Sequence, residues 1–116
     1  MTDYDYDQEE ASLRRQRHFL DDVEREIRRV NREAIHAVVP PLGRLRFLDL
    51  ARIVARRRVD YLRLALELSE CAPDDARSQA LLDQMPTARK NYFESREAFA
   101  ALERAIERGY IDVARD

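Results

Sequence analysis

A chain of 116 residues with a net charge of −2 and 38% charged residues is sized for one domain that buries a core without staples. That balance excludes a basic nucleic-acid wrapper and an acidic tail protein. The lone Cys71 excludes an intramolecular disulfide framework and suits a reducing compartment, and no apolar run nears the roughly 20 residues of a membrane span.

With Gly at 2 and Pro at 4, the chain has few places to turn and should consist of a few long elements. β-Branched residues are sparse and do not alternate, which leaves an all-α reading. The opening Met1-Thr-Asp-Tyr-Asp-Tyr-Asp is acidic and aromatic, unlike a secretory signal peptide, so a cytoplasmic location is expected. Nearly all basic residues are Arg, Lys90 excepted. That preference reads as codon bias of a GC-rich bacterial genome rather than as phosphate recognition.

Residues 1–6 are expected to form a disordered tail carrying Tyr4 and Tyr6. Asp7 is a good N-cap, with Glu10 placed to reach back, so a first helix is predicted over about 8–38. Its seam recurs every seven residues: Leu13, Leu20, Ile27 and Ala34 in one row, Val23, Val30 and Ala37 in the row offset by three. Such coiled-coil-like spacing places one apolar stripe on a 3.6-residue helix, and the stripe must be buried against other helices. Pro40 and Pro41 end this helix.

A second helix is predicted over about 42–71. Leu48, Ala51, Ala55, Val59, Leu62 and Leu66 share one face, and Phe47, Leu50, Val54, Tyr61, Ala65 and Leu68 widen it to about half the circumference. So wide an arc predicts a central helix with at least two neighbours. Pro73 ends it; Asp74 or Asp75 then caps a short helix at 75–84, with Leu81, Leu82 and Met85 facing inward. Pro86 and Thr87 open the last helix, over about 87–108, whose seam is Ala88, Tyr92, Ser95, Phe99, Leu102 and Ile106. Gly109 falls where a left-handed C-terminal cap belongs, with Tyr110 folding back. Residues 111–116 are expected to fray or to serve a contact. The expected architecture is a single antiparallel, up-down-up bundle of three long helices plus one short helix spanning 1–116.

Few residues carry chemistry. Glu33 and His36 form a Glu-x-x-His pair of the kind that ligates iron in four-helix di-iron proteins, but that site needs the motif on two helices. His18 has Arg15, not Glu, three residues before it. Arg29 and His36 also satisfy the Arg-to-His spacing of helical HEPN-type ribonucleases, with His to carry a proton and Arg to steady a phosphate. A metal-binding or ribonuclease-like protein centred on Glu33 and His36 therefore ranks last among the readings, and no cofactor is expected.

Arg14, His18, Arg25, Arg29, Arg32 and His36 line the outer face of the first helix, a stripe able to track a phosphate backbone. Asp22, Glu26 and Glu33 beside it neutralise much of its field, and no aromatic interleaves to stack bases. Arg58 points into the apolar arc of the second helix, so it must meet an acid, snorkel out or enter an interface. Phe93 points away from its helix's seam and is a candidate anchor.

The leading expectation is a non-catalytic protein acting through protein–protein contacts, of adaptor, regulator or chaperone type. A nucleic-acid-associated protein using the basic stripe is the alternative. The surplus apolar surface, with Leu13 and Phe19 at one end of the first helix and Phe93 elsewhere, predicts a two-fold homodimer beside an unidentified protein partner. Leu13, Phe19, Arg25, Arg29, Arg32, Arg58 and Phe93 are the candidate interaction residues.

Overall fold

Capping chemistry starts the first helix earlier than the periodicity does. In the computed structural model, which describes residues 2–115, the Thr2 hydroxyl accepts from the Asp5 amide at 3.4 Å. The Asp5 carboxylate in turn accepts from the Thr2 amide at 3.3 Å. This reciprocal capping box satisfies two donors that would otherwise be orphaned, so α1 spans Asp3–His36. The expected disordered tail is thereby corrected: Asp3–Tyr6 are helical and the cap is Thr2, not Asp7, while Met1 lies outside the described residues.

α2 spans Arg44–Ser69 and α3 spans Ala76–Glu107. The expected short helix at 75–84 and the last helix are one continuous element, with Pro86 inside it. Proline at that position removes only the bond to the Leu82 carbonyl and its ring crowds that turn; the α2 contact along the rest of α3 holds the helix through it. Asp75 caps α3 by accepting from the Arg77 amide at 2.9 Å. At the other end Gly109 takes φ +74°. The Tyr110 amide donates to the Ala105 carbonyl at 2.8 Å and the Gly109 amide to the Ile106 carbonyl at 3.0 Å, the two bonds of a Schellman cap.

α2 and α3 form an antiparallel hairpin, and among the described residues they are the only pair of helices that pack together. Val54 and Leu64 of α2 and Leu81 of α3 are buried, with Phe47 stacked on Phe99 at 4.7 Å and Tyr61 near Tyr92 at 6.3 Å. The chain is all-helical, as expected, but the three-helix bundle is not formed within it. α1 touches neither α2 nor α3 and has no buried residue. Its 34 residues extend about 51 Å at 1.5 Å per residue. The molecule measures 78 × 46 × 19 Å, too short for two limbs end to end and too long for limbs side by side. The limbs therefore diverge within a thin slab.

The joint between them is built, not slack. Leu42, in the linker, forms an isolated bridge to Val113. The Leu42 amide donates to the Asp112 carbonyl at 2.9 Å, and the Ala114 amide donates to the Leu42 carbonyl at 2.8 Å. Leu42 and Ile111 are both buried there. Of the two expectations for the C-terminal tail, fraying does not hold and a contact does: residues 111–114 are docked, and Asp116 lies outside the described residues.

Two expected inward faces are corrected as well. Leu48, Val59, Leu62 and Leu66, assigned to the core face of α2, are exposed, as is Leu82 of α3. α2 buries instead the stripe through Val54, Tyr61 and Leu64. With one neighbour rather than two, only one of its apolar stripes is covered.

Candidate interaction surface

Two heptad stripes stand open. On α1, Leu13, Leu20, Ile27 and Val30 are between 48% and 63% exposed, and Phe19 beside them is 66% exposed. On α2, Leu48, Val59, Leu62 and Leu66 recur at the same three- and four-residue spacing, nearly opposite the face packed on α3. Isolated exposed leucines are ordinary, but contiguous rows of this length on two helices are not.

The edges of the stripes differ in charge. At 100° per residue, Glu24, Glu26 and Glu33 flank the C-terminal half of the α1 stripe, while Arg15 and Arg17 flank its N-terminal half. Arg52, Arg56, Arg58 and Arg63 flank the α2 stripe and Arg44 lies within it, with Arg52 paired to Asp49 at 2.7 Å and Arg63 to Glu67 at 3.9 Å. Periodicity alone finds the α1 stripe; the α2 stripe lay inside the broad apolar arc and was assigned to the core.

The basic line on the outer face of α1 is largely satisfied within the chain. Arg25 pairs with Asp22. Arg29 bridges Glu26 at 2.7 Å and Glu33 at 3.0 Å, which raises its pKa further above the ordinary guanidinium value, the Glu26 hydrogen bond being the main cause. Arg32 donates to the Gly109 carbonyl and lies 3.2 Å from the Asp112 carboxylate. His36 Nε2 is 3.4 Å from the same carboxylate. Arg32 and His36 thus lock the base of α1 to the C-terminal segment. Nothing in the sequence marked that clamp, because its partners lie 77 and 80 positions away and one is a backbone carbonyl.

Glu33 and His36 turn to different partners, Arg29 and Asp112, and do not converge. Among the described residues no group of three or more His, Cys, Asp or Glu gathers in the geometry of a metal site. Cys71 donates weakly to the Glu67 carbonyl at 3.4 Å.

Arg58 and Phe93 belong to a cation–aromatic cluster on one side of the hairpin. Arg58 meets no acid: its Nε donates to the Tyr92 hydroxyl at 3.1 Å and its guanidinium lies 5.3 Å from the Tyr92 ring. Arg96 sits 4.5 Å from the Phe93 ring and 5.3 Å from that of Tyr92, while Arg89 covers Phe93 at 5.3 Å. Phe93 is half-buried beneath these side chains. The Tyr92 phenol titrates below the usual tyrosine range, chiefly because Arg58 hydrogen-bonds it, with Arg96 adding to the effect.

A shallow groove of about 430 Å³ between α2 and α3 is walled by Arg57, Asp60, Arg63, Asp83, Gln84 and Asn91. It holds flexible charged ends and no nucleophile with an adjacent base. No helix among the described residues is long and apolar enough to cross a membrane. Comparison of the chain with protein-family models, with curated proteins and with solved structures gives no match.

Proposed function

We propose that this protein is a non-catalytic module that works through protein–protein contacts, with α1 as its working surface and itself as the first partner. The observation that carries the reading is a 34-residue helix with no buried residue that nonetheless keeps a heptad apolar stripe. Most helical stability in proteins comes from packing an amphipathic face, not from intrinsic propensity. Each half-exposed Leu, Ile or Val of the stripe still has on the order of 1 kcal/mol to gain from full burial. A partner helix that covers the stripe completes, between chains, the bundle that the sequence predicts within one.

The nucleic-acid reading draws less support. Asp22, Glu26, Glu33 and Asp112 stand beside Arg25, Arg29 and Arg32, so carboxylates share that face and offset much of the field that would draw a phosphate backbone. The catalytic reading draws less support too, because Glu33 and His36 turn to different partners, Arg29 and Asp112.

Replacing Leu20 and Ile27 together with Glu tests the function. Light scattering at micromolar concentration should show the parent chain above its 13.7 kDa and the double variant at that mass, with lower helix content by circular dichroism. Equal masses and equal helicity for both proteins would remove α1 as a contact surface.

A further inference from the structure

We propose that the occupant of the exposed α2 stripe is α1 of a second copy of this chain, the exchange being reciprocal across a two-fold axis. The proposal rests on the reading of α1 as a contact surface and says what α1 contacts.

Four observations support it. The two stripes share one period and match in length: Leu13 to Val30 and Leu48 to Leu66 cover about 26 and 27 Å at 1.5 Å per residue. Over the C-terminal half of the α1 stripe the edges are complementary, because Glu24, Glu26 and Glu33 border it, beyond Arg15 and Arg17 nearer its start, while Arg56, Arg58 and Arg63 border the α2 stripe. Charges at such flanking positions decide which helices pair. An α1–α1 pairing would instead leave the α2 stripe bare.

The third observation is the clamp. Arg32 on Gly109 and Asp112, with the Leu42–Val113 bridge, fixes the direction in which α1 leaves the hairpin. α1 then does not reach its own α2, whereas α1 of another molecule meets no such restriction. The fourth is symmetry. One two-fold operation covers both stripes of both chains, which no single α1–α1 or α2–α2 contact does.

The pairs already present do not oppose the exchange. Glu26 and Glu33 hold Arg29 on an exposed surface, at 65% and 67% side-chain exposure, and such pairs are weak and easily re-formed. Arg56 has no acidic partner among the described residues, and Arg63 has only the long, exposed pair to Glu67 at 3.9 Å.

Charge reversal in the full chain, read by sedimentation equilibrium, tests the pairing. Glu24→Arg with Glu26→Arg, and separately Arg56→Glu with Arg63→Glu, should each weaken dimerisation roughly tenfold or more, because like charges then face across the contact. The quadruple variant should recover the parent affinity, which also shows that the reversed chains fold. An equimolar mixture of the two double variants should form the heterodimer, since both of its contacts then join opposite charges. A dimer indifferent to the α2 reversals would overturn the exchange while leaving α1 as a contact surface. Loss in both double variants without recovery in the quadruple variant would also overturn it. A parent chain that stays monomeric would overturn both readings.

Discussion

α1 and α3 are helices of similar length, 34 and 32 residues, yet α3 is packed and the more polar α1 is not. α1 separates its apolar and polar residues more sharply than either helix of the hairpin. Even so, it buries nothing, while the less regular α3 buries Leu81 and stacks Phe99 on Phe47. The hairpin is held by aromatic and branched side chains that interdigitate across a tight turn. Amphipathicity reports that a helix needs a partner; it does not report whether that partner lies in the same chain.

The sharpest way to break this contrast is to remove a side chain of the same size from each limb. Leu64→Ala should destabilise the hairpin by about 2–4 kcal/mol in chemical denaturation, since Leu64 is 5% exposed and its loss leaves a cavity. Leu20→Ala, from a residue 63% exposed, should cost the isolated chain well under 1 kcal/mol and should act on assembly instead. Equal losses in dilute monomer would mean that α1 packs within the chain after all.

A smaller effect of opposite sign is expected at Pro86. Pro86→Ala returns an amide donor to the Leu82 carbonyl inside α3 and should stabilise the hairpin by about 1–3 kcal/mol. Thermal unfolding checks this. No gain would mean that α3 uses the proline as a real break.

The arrangement was legible in parts. Thr2 was overlooked as a cap because Asp7 and Glu10 form a second plausible box one turn before the apolar seam. The α1 stripe and the Gly109 cap were readable because each depends on residues close in sequence. Pro86 was read as a boundary, since local backbone preference cannot weigh the packing on both sides that carries a helix through a proline. α2 was misassigned because two apolar stripes on one helix look like one wide face, and only the number of neighbours decides which is covered. The clamp at Gly109 and Asp112 joins the foot of α1 to the C-terminal segment, 77 and 80 positions away, beyond the reach of periodicity.

The smallest expected effect concerns Arg58, which departs from both limbs' apolar logic by resting on Tyr92. Because Arg58 favours the phenolate, Tyr92 should ionise before the other tyrosines as pH rises. For an acid with a lowered folded pKa, the linked stability is complete above the unfolded tyrosine value near 10, is lost as pH falls through the folded value, and is absent at neutral pH. Ultraviolet titration of the parent and of Arg58→Met checks it: the early phase should move upward in the variant, and an unchanged curve would remove Arg58 as the cause.

The claim that α1 is finished by another chain is tested most directly by the mass of the 116-residue chain in solution at micromolar concentration. Light scattering should give twice the chain's 13.7 kDa and fall to that value in the Leu20→Glu, Ile27→Glu double variant. A mass of 13.7 kDa that stays constant on concentrating would contradict the account, because the stripe on α1 would then have no second copy to cover it.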